Sequence, residues 1–463
     1  MKLVLSMLTV LEAMLVCGSA LADNGDWPMY NHDAAGTRSN DDETILSPST
    51  VPGLHIQWAF PTAGLVTGTP VVVDGIVYAG DTTGAVYAVN SDGSLNWQAQ
   101  AENMITASAI VVNNRVVIGD QAGYVYGFHR NSGKLVWKLQ PSAHPLSAIW
   151  GSATRVGNNI VIGVASNEEP AAANPNYPCC STVGSVVLIE PANGKIIWKT
   201  DTVTSVEAAA GASGATVWST PTYDAELDLI FVTTGNNFSE PSTTTSDAIM
   251  ALDAKTGAIV WTNQRYPNDV WNYTYPPSAS HPDFDFGDSP QVYTLADGTK
   301  VVGAGQKSGF YHVLNAATGE EISVEQYETG DTLGGLFSDT AVSGGVVFAN
   351  GINWPNPGGG GYPINGDLIA ISGDGTQELW RFTTPYSPNM SGVAVANGVV
   401  YFQSVFNGRL YALNAADGSV LKVVAIGASE SGPAISNGHV YVGTGEFFTQ
   451  APNTPSHIMC LGL

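Results

Sequence analysis

Side chains that can supply oxygen ligands occur at three places along the 463-residue chain. The three places are Glu168 and Glu169, Asn236 and Asn237, and Asp283, Asp285 and Asp288. Carboxylate and amide oxygens are the ligands that a hard cation such as Ca²⁺ prefers. Each place also has an ordinary explanation, because asparagine after glycine is a common turn former and paired glutamates are common in solvated loops. The three places therefore predict a calcium site only if the fold brings them together.

Common catalytic motifs are missing from the sequence. It contains no Gly-x-Ser-x-Gly elbow, no His-Glu-x-x-His, no P-loop lysine and no Gly-x-Gly-x-x-Gly that opens a helix. Covalently attached haem is not expected either, since no Cys-x-x-Cys-His sequence occurs. Any chemistry must therefore come from side chains that the fold assembles from distant positions.

The composition excludes further classes of protein. The chain has 16 Lys and Arg against 40 Asp and Glu, for a net charge of −24, which does not suit a nucleic-acid binder. Hydrophobic residues make up 44% and charged residues 12%, so a large core is expected rather than disorder. With 52 glycines and 26 prolines, the sequence favours strands joined by many turns.

A repeated unit accounts for most of the chain. In its first copy, β-branched runs alternate with the turns Asp74-Gly75, Gly84 and Asp92-Gly93, and the last run ends near Trp97. Such alternation between turns predicts four antiparallel strands. Eight copies begin at Thr69, Ala107, Ser152, Ser219, Ser289, Asp339, Ser391 and Ser431.

The repeats predict an all-β, eight-bladed β-propeller. A glycine precedes a tryptophan by four residues in the first four copies, whereas copies five and seven place Ser323 and Lys422 at the aromatic position. The eighth copy stops before its fourth strand, and residues 54–60 are predicted to supply it. A sandwich or two barrels would not explain eight matching copies. Insertions in copies three, four and six, where function is expected, cover residues 166–183, 236–247 and 354–364.

The amino terminus has the features of a secretory signal peptide at residues 1–22. Lys2 precedes the apolar stretch 3–16, and small residues follow up to the predicted cleavage site. A lipid anchor at Cys17 is the weaker alternative. The rest of the chain, residues 23–463, is predicted to be a single propeller domain. It contains no apolar run of about 18 residues, so no membrane span is expected.

Three cysteines follow the predicted signal: Cys179, Cys180 and Cys460. Two neighbouring cysteines can bond only through a strained ring, so the adjacent pair forms either such a ring or two separate thiols. Cys460 is predicted to be a lone buried thiol.

Six segments, taken in chain order, resemble the pyrroloquinoline quinone (PQQ)-dependent alcohol dehydrogenase family. They lie at residues 26–38, 168–187, 215–219, 234–236, 283–287 and 306–309. Together they are most similar to the polyvinyl alcohol dehydrogenase branch, a secreted relative of methanol dehydrogenase. The likeness extends over essentially the whole predicted domain and implies PQQ as cofactor.

The resemblance implies a calcium centre. Glu168 and Asn236 match the family's protein ligands of Ca²⁺, which also binds the quinone and polarises its reactive carbonyl; Glu169 remains an alternative to Glu168. Asp285 matches the catalytic base that takes the alcohol's hydroxyl proton, and it also counts among the metal ligands. Lys307 matches the cation beside the quinone oxygens, where charge develops on reduction.

The resemblance also implies a slot for the cofactor. Trp218 matches the indole that forms one face of the slot, because a flat apolar ring holds a flat tricyclic quinone by stacking. A Cys179–Cys180 ring matches the family's disulfide beside the cofactor, and Ser166 matches a contact to a cofactor carboxylate. Ordinary roles stay open for single residues: Trp218 in the core, Lys307 on the surface or Asp285 in a turn.

Two departures from the family pattern bear on this slot. The family often continues the cysteine pair with an aromatic residue and then Arg or Gln, whereas residues 181–183 here are Ser-Thr-Val. This wall is therefore expected to be less polar. Lanthanide-using relatives place an extra carboxylate two residues after the base; Gly287 occupies this position and favours Ca²⁺.

The resulting hypothesis is a periplasmic or secreted dehydrogenase that uses PQQ and Ca²⁺ to oxidise an alcohol, such as a secondary alcohol or polyvinyl alcohol, to a carbonyl. Electrons must pass to a separate acceptor, and the acidic charge suits a basic cytochrome c. Two alternatives remain open. One is a non-catalytic scaffold similar to outer-membrane assembly lipoproteins, and the other is PQQ-dependent oxidation of an aldose or a primary alcohol.

Overall fold

Eight antiparallel sheets follow one another along the chain in a computed structural model that describes residues 25–275, 281–353 and 364–463. Each sheet is a four-stranded meander, and the sheets form the blades of a propeller, which confirms the predicted fold. The predicted signal peptide (residues 1–22), Cys17 and residues 354–363 of the third insertion lie outside the described residues.

The strands of blades 1 to 4, from the axis outward, are Val71–Val73, Ile76–Gly80, Ala85–Val89 and Leu95–Gln100; Ile110–Val112, Arg115–Gly119, Val125–His129 and Leu135–Leu139; Thr154–Val156, Asn159–Ser166, Ser185–Glu190 and Lys195–Asp201; and Thr222–Asp224, Leu229–Thr233, Ala248–Asp253 and Ile259–Gln264.

The strands of blades 5 to 8, in the same order, are Gln291–Thr294, Lys300–Gly305, Phe310–Asn315 and Glu321–Gln326; Ala341–Ser343, Val346–Asn353, Asn365–Ser372 and Glu378–Thr384; Ala394–Ala396, Val399–Ser404, Arg409–Asn414 and Val420–Ala425; and Ala434–Ser436, His439–Gly443, Ser456–Gly462 and His55–Thr62.

Short elements complete the structure: the strands Ser39–Asn40, Ser147–Ala148, Ser213–Gly214 and Asn237–Ser239, the α-helices Glu168–Ala171 and Ser205–Ala209, and the 3₁₀ turn Val51–Gly53. No helix among the described residues is long and apolar enough to cross a membrane.

The ring closes as the repeats predict. The outer strand of blade 8, His55–Thr62, comes from the amino-terminal part of the chain and pairs antiparallel with Ser456–Gly462. The two ends of the domain are thereby joined through a full ladder of backbone hydrogen bonds. Cys460 lies buried in this blade as a free thiol, as predicted.

Neighbouring blades are linked by a side chain of one outer strand that donates to a backbone carbonyl of the next blade. Six of these donors are tryptophan indoles, at 2.7 to 3.1 Å from the carbonyl oxygen: Trp58, Trp97, Trp137, Trp198, Trp261 and Trp380. The ring faces also pack on glycines of the next blade, such as Gly133 against Trp97. The tryptophan repeat is therefore the contact that joins the blades.

The two blades that lack the aromatic residue keep the same link with different chemistry. Ser323 donates its hydroxyl to the carbonyl of Asp374 in blade 6. Lys422 donates its ammonium to the carbonyl of Pro52 at 2.8 Å, just before the outer strand of blade 8. Each donor replaces the indole N–H, so the ring remains continuous.

The segment before the closing strand ties the innermost strands together. Its backbone carbonyls accept hydrogen bonds from the inner strands of six blades at 2.6 to 3.0 Å: Val72 to Trp27, Val111 to Pro28, Tyr223 to Ala34, Val292 to Ala35, Val342 to Thr37 and Val395 to Arg38. Arg38 is completely buried in this segment. Tyr30, also in the segment, donates its hydroxyl to Asp339 and so fixes one wall of the axial cavity.

Replacing Gly133 with alanine is expected to destabilise the propeller. Gly133 has φ +65°, and an added Cβ would lie 2.5 Å from Cε3 of Trp97. Gly157 has φ +60° with no atom within 4 Å of such a Cβ. Gly157→Ala therefore reports the backbone strain alone, about 1–3 kcal/mol. Gly133→Ala should cost about 1–3 kcal/mol more through the clash, measured as the difference in thermal or urea unfolding. Equal losses in the two variants would contradict the role of the tryptophan contact.

Candidate active site

The residues predicted to do chemistry lie on loops at one end of the propeller. Trp218 precedes the inner strand of blade 4, and Asp285 precedes that of blade 5. Asn236 follows the second strand of blade 4, and Lys307 follows the second strand of blade 5. In an antiparallel meander the chain enters strand one and leaves strand two at the same end. The blade topology therefore brings these loops to one face.

Asp285 is held between two donors from neighbouring loops. Its Oδ1 accepts the backbone N–H of Asn236 at 2.6 Å, and its Oδ2 accepts the ammonium of Lys307 at 3.1 Å. The backbone N–H of Lys307 also donates to the carbonyl of Asp285 at 3.0 Å. Both side chains are at least nine-tenths buried. The carboxylate is therefore fixed in orientation and shielded from bulk water.

Lys307 carries its charge inside this buried cluster. Its Nζ donates to Asp283 at 2.9 Å as well as to Asp285, and lies 5.7 Å from the ring centroid of Trp218. Burial disfavours the ammonium form, but Asp283 and Asp285 outweigh burial and raise the pKa of Lys307 above its usual value. The lysine is thus a fixed positive charge beside the indole.

Trp218 exposes part of its indole to a cavity of about 610 Å³, which Lys307 also lines. Its Nε1 is buried and has no hydrogen-bond partner among the described residues. Three aromatic side chains that line the cavity remain partly exposed, with Trp150 39%, Tyr273 59% and Phe448 47% accessible. The cavity therefore offers a flat aromatic wall, one buried cation and further aromatic surface.

The neighbouring glutamates of blade 3 have different surroundings. Glu168 is completely buried and accepts hydrogen bonds from the Tyr177 hydroxyl at 2.7 Å and the backbone N–H groups of Ser181 and Thr182 at 2.9 and 2.6 Å. Burial opposes its charge, yet these donors lower the pKa of Glu168. Its oxygens are thus occupied by its own loop.

The charges of the buried cluster around Lys307 affect the pKa of Glu169. Burial, together with the charge of Asp285, raises the pKa of Glu169 to about 8, while the charge of Lys307 acts in the opposite direction. The side chain accepts no hydrogen bond among the described residues. Glu169 is therefore the blade 3 carboxyl with free oxygens near Asp285.

Two buried carboxyls of this region, Asp247 and Asp269, were missed by the sequence analysis. Neither oxygen of Asp247 and only one oxygen of Asp269 has a hydrogen-bond partner among the described residues. Burial, together with the charge of Asp285, raises the pKa of Asp269 to about 6 and that of Asp247 well above its usual value. Their loop positions resemble ordinary turns, so no sequence signal distinguishes them.

The donor set fits a divalent cation that the PQQ family implies. Oδ1 of Asn236 is a buried acceptor without a partner among the described residues. Carboxyls outnumber the ammonium of Lys307 in this cluster: Glu169, Asp247, Asp269, Asp283 and Asp285. Such an excess of acceptors suits a hard cation. Among the described residues, however, no group of three or more His, Cys, Asp or Glu side chains is arranged to hold a metal ion.

Cys179 and Cys180 form the predicted disulfide between adjacent residues. Among the described residues, the cavity lining includes Trp218 and Lys307 but neither cysteine. Ser166 is engaged by its own loop, since its hydroxyl contacts Thr182 at 3.1 Å and accepts the N–H of Glu168 at 2.9 Å. The structure thus groups Trp218 with Lys307, and Ser166 with the Glu168 loop.

Comparisons with known proteins indicate the family of the chain. Residues 199–329 match the family model described as glucose/ethanol/alcohol dehydrogenase, β-propeller domain. A polyvinylalcohol dehydrogenase of a Pseudomonas species is 29% identical over 451 residues, which cover 86% of this chain and 70% of that protein. The polyvinylalcohol dehydrogenase of Sphingopyxis sp. (strain 113P3) is 28% identical, with 86% and 69% covered. The chain belongs to the PQQ-dependent (quinoprotein) alcohol dehydrogenase family.

The fold of this quinoprotein also has a solved counterpart. The crystal structure of quinohemoprotein alcohol dehydrogenase from Comamonas testosteroni superposes with a TM-score of 0.78 at 19% identity, covering 96% of this chain and 81% of that one. A second family model, described as outer membrane protein assembly factor BamB, matches residues 55–205 and 364–451. Those stretches contain the strand repeat, whereas the loops with Trp218, Asp285 and Lys307 lie outside them.

Replacing Glu168 with glutamine should destabilise the quinoprotein. The glutamine amide offers the three donors one uncharged acceptor oxygen in place of a carboxylate. The free energy of unfolding is therefore expected to fall by about 1–3 kcal/mol at pH 7. Because the folded pKa of Glu168 lies below its ordinary value, its contribution is present above pH of about 4 and disappears as pH falls through the folded pKa. Thermal unfolding at pH 7 and at lower pH measures this difference.

Glu169→Gln is the matched control for this prediction. Because the pKa of Glu169 is raised, the folded protein favours the neutral form of this side chain. A neutral amide at this position should therefore change the melting temperature little. A larger loss of stability in Glu169→Gln than in Glu168→Gln would contradict the assignment of Glu168 to its own loop.

Proposed function

We propose that this quinoprotein oxidises an alcohol, with a secondary alcohol such as polyvinyl alcohol as the substrate class, to a carbonyl compound with the help of PQQ and Ca²⁺. The observation that carries the proposal is the buried carboxylate of Asp285, fixed by Asn236 and Lys307 beside the indole of Trp218. The names of the polyvinylalcohol dehydrogenase relatives support the substrate class.

Bound PQQ supplies a hydride acceptor, and Ca²⁺ supplies a Lewis acid. The protein contributes the surroundings in which they act. Trp218 offers a flat face for a flat ring. Lys307 places a positive charge near that face, where negative charge develops during reduction. The cavity shields both residues from bulk water, so their electrostatic effect is stronger than it would be in solution.

Asp285 acts as the general base. Its carboxylate accepts the proton of the substrate hydroxyl, so that the carbon bearing this hydroxyl can release its hydrogen as hydride and become the carbonyl carbon. The N–H of Asn236 and the ammonium of Lys307 hold the two oxygens in place before the substrate arrives. No reorganisation of the base is therefore required during the reaction.

The calcium ligands are proposed to be Oδ1 of Asn236, the carboxylate of Glu169 and a carboxylate oxygen of Asp285. Glu169 replaces the predicted Glu168 in this set, because each oxygen of Glu168 already accepts at least two hydrogen bonds, whereas each oxygen of Asp285 accepts one and keeps a free lone pair. Contacts of the cofactor with Ser166 and with the disulfide of Cys179 and Cys180 are proposed on the family resemblance, since among the described residues neither lines the cavity with Trp218.

The electrons are proposed to leave for an external acceptor. The sequence has no motif for covalent haem, and its net charge of −24 suits a basic cytochrome c. The predicted signal peptide supports a location in the periplasm or outside the cell.

A protein–protein scaffold is the second candidate, because the model described as BamB matches more of the chain than the dehydrogenase model does. Reconstitution separates the two functions. The apoprotein is mixed with PQQ and Ca²⁺, and dye reduction is followed with propan-2-ol, polyvinyl alcohol and glucose. Turnover of the alcohols supports the proposal. Absence of PQQ binding favours the scaffold, and turnover of glucose alone favours an aldose enzyme.

Asp285→Asn should bind PQQ but lose turnover. The amide has a similar shape and cannot accept the hydroxyl proton, so kcat is expected to fall by about 10²–10⁴. Steady-state kinetics together with a PQQ titration monitored by tryptophan fluorescence provide the test. Full activity in this variant would refute the assignment of the base.

Glu169→Gln should weaken calcium binding specifically. Loss of one charged ligand is expected to raise the Ca²⁺ concentration that gives half-maximal activity by about tenfold or more. Titration of Ca²⁺ into the chelator-treated protein with PQQ measures this shift. An unchanged Ca²⁺ requirement in Glu169→Gln, with a raised requirement in Glu168→Gln, would restore Glu168 as the ligand.

A further inference from the structure

Polar groups also line the wall of the cavity that lies opposite Trp218. Glu430 belongs to the connection between blades 7 and 8, whereas Trp218 belongs to the connection between blades 3 and 4. Four of the eight blades separate the two connections, so they face each other across the propeller axis. Proposed catalysis at Asp285 does not use Glu430.

Glu430 is held in a defined position. Its backbone N–H donates to the carbonyl of Gly445 at 3.1 Å, and its Oε1 accepts the N–H of Phe447 at 3.2 Å. Its second carboxyl oxygen has no hydrogen-bond partner among the described residues. Burial raises the pKa of Glu430 to about 7. This wall therefore presents a preorganised oxygen to the cavity.

Thr67 adds a second polar group to the same wall. Its Oγ1 is buried without a partner among the described residues, and the residue lines the cavity together with Glu430. The hydroxyl of Ser431 donates to the carbonyl of Gly68 at 3.0 Å, which joins the Thr67 loop to the Glu430 loop. A hydrogen bond thus links the loop that carries this acceptor to the loop that carries this hydroxyl.

The surroundings of this polar pair are apolar. Met390, Phe447 and Phe448 line the same cavity. Phe448 is anchored because its N–H donates to Glu446 at 2.6 Å and its ring packs edge-on against Phe406. A polar pair in an apolar wall selects a ligand that carries a hydroxyl group at one position on a hydrocarbon chain.

We propose that Glu430 and Thr67 form a subsite for a second hydroxyl group of the substrate, remote from the carbon that is oxidised. The inference rests on the proposed function and narrows its substrate class to polyols long enough to reach across the cavity. Glu430 accepts a hydrogen bond from the remote hydroxyl group of the substrate. The hydroxyl of Thr67 forms a second hydrogen bond with the same group. The apolar side chains pack on the intervening carbon chain.

The test compares two substrates of equal length, nonan-2-ol and nonane-2,4,6,8-tetraol, with the holoenzyme containing PQQ and Ca²⁺. The wild type should show a higher kcat/KM for the tetraol. Glu430→Ala should lower the ratio of the two kcat/KM values by about tenfold, since the hydrogen bond between the remote hydroxyl and the carboxyl is lost. Glu430→Gln retains an acceptor and should restore part of the ratio.

Thr67→Val is the second variant, and it should lower the same ratio by a smaller factor. Glu325→Gln, an exposed carboxyl on the outer strand of blade 5, is the matched control and should leave the ratio unchanged. Thr67→Val and Glu430→Gln keep the inference testable if Glu430→Ala does not fold.

The outcomes distinguish the inference from the proposed function. If the wild type oxidises both alcohols and Glu430→Ala and Thr67→Val keep its tetraol preference, the subsite is refuted while the function stands. A lowered PQQ affinity in Glu430→Ala would assign the residue to the cofactor and also refute the subsite. If the wild-type holoenzyme oxidises neither alcohol, the proposed function and the subsite both fail.

Discussion

The structure depends on the hydrogen bond that each outer strand donates to the next blade. A blade contacts its two neighbours, so these bonds and the ring packing beside them set the angle between adjacent blades. The candidate site takes Trp218, Asp285 and Lys307 from the connections and turns of blades 3 to 5. Its geometry therefore rests on the indoles of Trp198 and Trp261, which fix blade 3 to blade 4 and blade 4 to blade 5.

The site itself carries an electrostatic cost. Several carboxyls lie buried around Lys307, and those of Asp247 and Asp269 keep unpaired oxygens among the described residues. Buried acceptors without partners destabilise a fold unless a ligand satisfies them. Such an arrangement is typical of functional sites, where groups are held in readiness for a charge that arrives with the ligand. The rest of the ring supplies the stability, through blades with largely apolar cores.

The sequence predicts the architecture well because the repeat encodes it directly. Turn glycines and the tryptophan positions specify eight blades, and the missing eighth strand specifies the closure by residues 54–60. The convergence of Trp218, Asp285 and Lys307 follows from the same topology. Details that depend on side-chain direction do not follow: Glu168 and Glu169 are neighbours, yet one bonds to its own loop and the other faces the cluster. The replacement of an indole by Ser323 or Lys422 is likewise visible only when the acceptor carbonyl is located.

A crystal structure of the protein with PQQ and Ca²⁺ tests the central claim most directly. The account predicts the quinone ring flat against Trp218, with Lys307 at its edge. It also predicts a cation about 2.3–2.6 Å from Oδ1 of Asn236 and from a carboxylate oxygen of Glu169. A cofactor bound away from Trp218, or a cation coordinated by Glu168 with Asn236 unliganded, would contradict it.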